Sequence, residues 1–308
     1  MKKIAVLMGC MIALIGAGLY AAAHYTTGAP SDGKMKVTAS FYPMAEFTRQ
    51  VGGTYVTVAT LVKPGTEPHD YEPTPQDIAT IYKSKVLVTN GAGLERWATK
   101  LQGDLQANHI LSLEAVKGVA LHTNVSTDST DQTPTDPHVW MAPALAIYEV
   151  NNIRDSLIQA DPAHRSAYQA NARAYTAKLQ ALDDAFRGGL QQCELNTIVT
   201  SHQAFSYLAA AYGLTSEGIA GLSPDDEPSP RKLAQIADYV KEQRITHIFF
   251  ETLVSPKLAQ TIARETGAAA IAFNPLEGLT SKEVAQGKNY LSVQKENLQA
   301  LRTALHCQ

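Results

Sequence analysis

Residues Asp161–Gln191 run DPAHRSAYQANARAYTAKLQALDDAFRGGLQ, and their reading decides the architecture. Asp161 can cap a helix with its carboxylate, and Pro162 suits the first helical position, where no N–H is needed. Beyond it neither Gly nor Pro interrupts the chain until Gly188-Gly189. Tyr168, Ala172, Tyr175, Leu179, Leu182, Phe186 and Leu190 recur at helical steps and share one face. A helix of this length spans on the order of 40 Å at about 1.5 Å per residue, more than one small lobe needs. Alternating strand and helix patterns lie on both sides of it. The stretch therefore reads as a stiff strut between two α/β lobes; an ordinary long helix within one domain is the competing reading. The expected division is 34–160 for the first lobe, 161–191 for the linking helix and 192–308 for the second lobe.

Upstream, Lys36–Ser40 reads as a strand and Tyr42–Val51 as a helix ended by Gly52-Gly53. Tyr55–Val62 is rich in β-branched residues and predicts a second strand. The prolines of Lys63–Pro73 exclude regular structure and place His69 in a loop after the carboxyl end of that strand. Thr74-Pro75 starts a helix running to Ser84. A third strand spans Val86–Asn90, a helix Leu94–Leu101, and a fourth strand His109–Ser112. The chain from Gly118 to Thr135 is polar and reads as an exposed loop. It ends at Asp136-Pro137-His138, before a helix opened by Pro143. Downstream of the strut, Asn196–Thr200 is an apolar strand leading straight into Ser201-His202 and a helix. A helix over Pro230–Gln243, a strand over His247–Phe250 ending at Glu251, a helix over Pro256–Thr266 and a last strand over Ala268–Phe273 follow. Glu277 comes after that strand, and a helix from about Tyr290 to Leu305 closes the chain.

The 308 residues suffice for two domains, and a net charge of −3 with no basic or acidic run argues against nucleic acid as a partner. Lys2-Lys3 precedes an uncharged apolar run, Ile4–Ala23, with small residues at Ala21–Ala23. That pattern fits a secretory signal, and the run is also long enough for a retained membrane anchor. Residues 1–33 are thus expected to be a signal or anchor followed by a flexible leader, with the body outside the cytoplasm. Leu7–Cys10 is only a loose match to a lipidation site. Cys10 sits in this segment, which leaves Cys193 and Cys307 as a possible disulfide in an oxidising space, free thiols being the other reading.

Of the nine histidines, His24, His109, His122, His164 and His306 read as polar surface residues, and His247 as structural at the start of a strand. His69, His138 and His202 all fall at the same kind of lobe edge, and Glu277 holds the equivalent place after the last strand. Ligands in open α/β sheets gather at that edge. Spacing alone does not define a metal site here, since CxxC and HExxH are both absent.

GTEPHDYEPTPQD (65–77), DPHVWMAP (136–143), TSHQAFSYLAAAYGL (200–214) and FNPLEGLT (273–280) resemble signature segments of the metal-binding solute-binding proteins of ABC importers, the cluster A-I family of zinc and manganese type. FFETLVSPKLAQTIARETG (249–267) and KNYLSVQKENLQAL (288–301) extend the likeness from Lys36 to Leu305. The resemblance implies two lobes, each a mostly parallel sheet flanked by helices, joined by one rigid helix, with the metal in the cleft. It implies His69, His138, His202 and Glu277 as ligands, and places Glu251 behind them rather than on the metal. Asp70 and Glu72 near His69, and Asp136 near His138, could orient imidazoles as hydrogen-bond acceptors; they serve equally as acids at helix starts.

Three imidazoles and one carboxylate suit zinc in a closed tetrahedral site, whereas manganese prefers more oxygen. Zinc members of the family often carry a histidine-rich loop before the second motif. Here that stretch has only His122, with Asp128 and Asp131, and manganese stands as the alternative. The expected partners are the divalent ion and a membrane permease, with the receptor a monomer. A metallohydrolase needs an open coordination position, which four protein ligands deny, so an enzyme is not expected. A surface adhesin with a structural metal is the reading from a different class.

Overall fold

The structure is a computed structural model in which residues 33–123 and 135–308 are described. The expectations for the N-terminal apolar segment and leader, with Cys10 and His24, and for the polar stretch containing Asp128 and Asp131, lie outside those residues. Two four-stranded sheets occur among the described residues, and their strand orders match. In the first, β1 (Met35–Ala39), β2 (Val56–Thr60), β3 (Val86–Thr89) and β4 (Leu111–Glu114) lie in the order β2-β1-β3-β4. In the second, β5 (Thr197–Thr200), β6 (Thr215–Gly218), β7 (His247–Phe250) and β8 (Ala269–Ala272) lie in the order β6-β5-β7-β8. Every pairing is parallel. The central strands VLVT and TIVT are buried throughout, as expected of sheets covered by helices on both faces.

Helices α1 (Tyr42–Gly52), α2 (Pro75–Tyr82), α3 (Arg96–Ala107) and α4 (Pro143–Ala160) belong to the first lobe. Thr74 caps α2 in a reciprocal box with Asp77, which fixes where the proline-rich loop holding His69 must end. The linking helix α5 runs Arg165–Gly189 after a single 3-10 turn at Pro162–His164. Its buried face is the expected one: Tyr168, Ala172, Tyr175, Leu179, Leu182 and Phe186. Asp161 accepts hydrogen bonds from the His164 ring and the Tyr168 hydroxyl, both at 2.6 Å. The second lobe adds α6 (Ser206–Ala211), α7 (Pro230–Glu242), α8 (Lys257–Thr266), α9 (Ser281–Ala285) and α10 (Tyr290–Ala304).

Several elements differ from the sequence reading: α3 starts at Arg96 and runs on to Ala107 instead of ending at Leu101, and the Asp161 carboxylate makes no cap bond, the α-helix of the strut starting only at Arg165. The fourth strand starts at Leu111, because His109 takes a left-handed φ of 53° in the turn before it. Strand β6 (TSEG) and the short α9 were not anticipated. An edge strand of four mostly polar residues carries no hydrophobic alternation to betray it.

The lobes share more than the strut. One apolar cluster runs from Val37 and Phe47 in the first sheet layer, through Tyr168, Leu179 and Phe186 of α5, to Ile198, Phe205, Phe273 and Tyr290. Phe47 meets Tyr290 edge-on at 5.0 Å, and the Trp140 indole N–H donates to the Pro275 carbonyl at 2.8 Å. Gln294 of α10 donates to the Met141 carbonyl at 3.0 Å. A continuous core resists large hinge rotation, since parting it exposes apolar surface.

Cys193 and Cys307 are joined as a disulfide spanning 114 residues, tying the end of the strut to the chain terminus. Cross-links closing loops near this length contribute about 4.7 kcal/mol in the chain-entropy model. Cys193→Ser is therefore expected to lower Tm by on the order of 10 °C in calorimetry, a drop that reductant should reproduce in the wild type. Glu149, wholly buried on α4, has both carboxylate oxygens without a partner; burial, reinforced by Glu95, pushes its carboxyl well above the usual range. A raised carboxyl loses stability as pH climbs past its unfolded value, about 4.3. Glu149→Gln should raise Tm at pH 7 and gain little at pH 4, read by paired melts.

Candidate metal centre

The strand order reverses between β1 and its neighbours in one lobe and between β5 and its neighbours in the other, the places where open sheets leave a crevice. His69 follows β2, His202 follows β5 by two residues, and Glu277 follows β8. His138 lies in the segment between β4 and α4. The structure brings these four residues together: one ligating atom from each lies within 4.8 Å of the others. The Nε2 atoms of His69, His138 and His202 stand 3.1, 3.2 and 3.1 Å from Glu277 Oε1. His138 Nε2 is 3.2 Å from His69 Nε2 and 3.3 Å from His202 Nε2. Five of the six donor separations thus fall at 3.1–3.3 Å, and the sixth, His69 to His202, lies within 4.8 Å; edges near 3.2 Å correspond to bonds of about 2.0 Å from a tetrahedral centre, the bond length of four-coordinate zinc to nitrogen or oxygen. The donor set fits a divalent ion in both chemistry and size.

Each donor has a local reason for its place. Asp136 Oδ1 accepts the His138 main-chain N–H at 2.9 Å and faces His138 Nδ1 at 2.8 Å. Glu251 Oε1, at the end of β7, does the same for His202, at 3.1 and 2.7 Å. A carboxylate on Nδ1 fixes the tautomer that leaves Nε2 free to bind a metal. Gly218 makes room for the His202 turn, because a Cβ there would lie 2.9 Å from the His202 carbonyl carbon and 2.7 Å from the Gln203 nitrogen. Leu276 adopts a left-handed φ of 58°, held by its N–H to Asn274 Oδ1 at 2.7 Å. Asn297 in turn grips the Asn274 backbone at 3.0 and 2.8 Å, so α10 sets where Glu277 points.

At His69 the acceptor is neither Asp70 nor Glu72. Glu72 is exposed, and Asp70, also exposed, lies beside Asp225 of the other lobe. Glu67 holds the backbone there, not the ring: its Oε2 accepts the His69 main-chain N–H at 2.9 Å, and its Oε1 lies 3.9 Å from His69 Nε2. The sequence held a signal for it. Glu67-Pro68-His69 and Asp136-Pro137-His138 share the order acid, proline, histidine, and in both the acid accepts the histidine N–H. A cavity of about 210 Å³ lined by His69, Asp70, Pro137, Asp225 and Asp226 borders the cluster at its most accessible histidine.

Electrostatics reinforce the geometry. Burial pulls the His202 imidazole down, but the Glu251 and Glu277 carboxylates outweigh it and hold the ring protonated well above its usual range. His138 is raised likewise, burial being overcome by Asp136 and Glu277. His69, where burial wins, is lowered. Glu277 resists its own burial through His202, His138 and His69, which keep it ionised well below the usual carboxylate range. Glu67 is pushed up to about 9, by burial first and Glu277 second.

Two parallel-sheet lobes on one long helix, with a buried cluster of cation-binding donors between them, define the cleft-type solute-binding receptors with a helical backbone. The family model described as zinc-uptake complex component A, periplasmic, matches residues 37–304, and the chain belongs to that family. It is 39% identical to the zinc-binding lipoprotein AdcA of Streptococcus pneumoniae serotype 4 over 98% of its own length, spanning 61% of that relative. It is also 39% identical to the high-affinity zinc uptake system protein ZnuA of Bacillus subtilis, covering 88% of each chain. Among solved structures, the Zn(II)-bound ZnuA-like domain of Streptococcus pneumoniae AdcA superposes with a TM-score of 0.78 at 40% identity, over 89% of this chain and 99% of that one. The laminin-binding protein Lmb of Streptococcus agalactiae, described as having adhesin and metal-transporting activity, superposes at 0.79 with 36% identity, over 88% and 99%.

A cation entering this cluster competes with the protonated form that the neighbouring carboxylates favour at His202 and, to a lesser degree, at His138. Metal binding at pH 7 should release at least one proton per ion, and affinity should weaken by roughly tenfold per proton for each unit the pH is lowered. Calorimetric titrations in buffers of different ionisation enthalpy measure this directly, and a heat independent of buffer would contradict it.

Proposed function

We propose that this protein is the extracytoplasmic metal-binding receptor of an ABC importer. It captures a divalent transition metal, zinc first, with His69, His138, His202 and Glu277, and delivers it to a membrane permease. The observation carrying this reading is the largely buried meeting of three imidazole nitrogens and one carboxylate oxygen within 4.8 Å of one another, two donors from each lobe. Its family membership supports the same reading, as do relatives described as zinc-binding or zinc-uptake proteins.

In this reading residues 34–160 and 192–308 are the lobes and 161–191 the strut. The ion ties the lobes together, and the common core keeps the accompanying movement to small tilts and loop shifts. Four protein donors leave no position for a reactive water, which suits a carrier and not a hydrolase. The protein acts as a monomer outside the cytoplasm, led there by its N-terminal apolar segment. Laminin adhesion is a second role to examine, since Lmb is described with both activities.

The test is a thermal melt of chelator-stripped protein, given zinc or manganese in turn. At 100 times Kd, linkage adds about 2.7 kcal/mol and moves Tm by several degrees. Zinc should give the larger rise, and His138→Ala should lose most of it. A rise with manganese alone would keep the receptor and replace its cargo; no rise with either would remove the site.

A further inference from the structure

Asp136, which orients His138, is itself held from the other lobe. Its carboxylate is 2% exposed and divides its two oxygens. Oδ1 serves the main chain and ring of His138, while Oδ2 accepts the hydroxyl of Ser206, the first residue of α6 in the second lobe. The next residue, Tyr207, donates its hydroxyl to the Asp136 carbonyl at 2.8 Å and accepts the His122 N–H at 2.9 Å. The Tyr207 ring stacks on His122 at 4.1 Å, and the Asp136 N–H closes the pair by donating to the His122 carbonyl at 2.9 Å. His202 differs in kind, because its acceptor, Glu251, belongs to its own lobe.

We propose, resting on the metal-receptor reading above, that Ser206 is a positioning residue for metal retention: through Asp136 it makes the presentation of His138 depend on the two lobes being together. With Ser206 in place, the Asp136 carboxylate has a fixed plane and the His138 ring one orientation and one tautomer, with Nε2 facing the ion. When the lobes part, Ser206 and Tyr207 leave with α6. Asp136 is then free to turn, and His138 loses its grip while His202 keeps its own. Lobe separation is thereby translated into loss of one particular ligand, the first step of release.

Removing an acceptor behind a metal-bound histidine weakens binding by 10- to 100-fold in other metal sites, and Ser206 acts one bond further out. Ser206→Ala is therefore expected to release zinc about tenfold faster, in chelator-chase stopped flow, than the wild type, with the metal-free Tm lowered only by the few degrees that one lost buried hydrogen bond costs. Ser206→Thr, which keeps the hydroxyl, should restore slow release. In a His138→Ala background the Ser206→Ala change should add nothing to the loss of affinity, because its effect passes through His138. Release from Ser206→Ala at the wild-type rate overturns the proposal. So does additivity with His138→Ala, or an equal defect in Ser206→Thr, either of which marks a packing effect. A wild-type protein that takes up no zinc at all fails earlier, at the metal-site reading, and is distinguished by that.

Discussion

The recurring constraint in this molecule is a carboxylate that accepts the main-chain N–H of each candidate metal-binding histidine. Glu67 does so for His69, Asp136 for His138 and Glu251 for His202. A histidine in a loop would otherwise have freedom in both backbone and ring. One acid removes the first freedom at all three positions, and at His138 and His202 the same oxygen also removes the second through Nδ1. The side-chain length explains the exception. An aspartate two residues ahead of its histidine curls back onto the ring's near nitrogen, while the longer glutamate reaches past it toward Nε2. The cluster thus holds more carboxylate than its donor count suggests. The raised His138 and His202 imidazoles favour their protonated forms and so offset part of the carboxylate charge around them.

The duplicated topology turns this local device into a cleft. Both sheets carry their strands in the same order and present the carboxyl ends of those strands to one crevice, so each lobe delivers donors without either needing to fold around the ion alone. What keeps the crevice narrow is the shared core. Trp140 and Met141, directly after His138, hydrogen-bond Pro275 and Gln294 of the other lobe, and the loop after β2 reaches across through the Gly65 N–H to the Leu279 carbonyl. These bonds sit within a few residues of His138, His69 and Glu277. Domain closure and site assembly are therefore mechanically one event.

Much of this was legible in the sequence, for identifiable reasons. The strut announced itself because a long uninterrupted helix must repeat its buried residues at helical spacing, and Tyr168 to Phe186 do. The strands at Val86 and Thr197 were readable because strands buried on both faces are apolar runs. The four converging residues stood out by their place at the lobe edges, but only the resemblance joined them into one metal site, since their contacts span 208 positions and leave no local trace. Failures came where the determining contact was distant or the signal was short. Strand β6 is polar because it lies at an edge. Asp70 and Glu72 read evenly as imidazole acceptors or helix-start acids, and the acid that meets the His69 N–H is instead Glu67, two residues before it. Ser206 looked like any residue of an apolar helix face, and its partner lies 70 residues upstream.

The same rigidity bears on which metal such a site selects. Affinity alone does not choose zinc, because nitrogen and oxygen donors bind copper more tightly in the usual order of divalent ions. Geometry must supply the discrimination. The five donor separations of 3.1–3.3 Å suit bonds of about 2.0 Å, and His138 and His202 are held by carboxylates that are themselves buried, so those two donors do not shift cheaply. Manganese, with its preference for more oxygen, would need a further donor drawn in. Glu67 is the nearest carboxylate not already at the centre, but its Oε2 is committed to the His69 N–H, and moving it would loosen the very histidine it anchors. On the receptor reading proposed above, selection for a four-coordinate ion would follow from how the histidines are held as much as from their number.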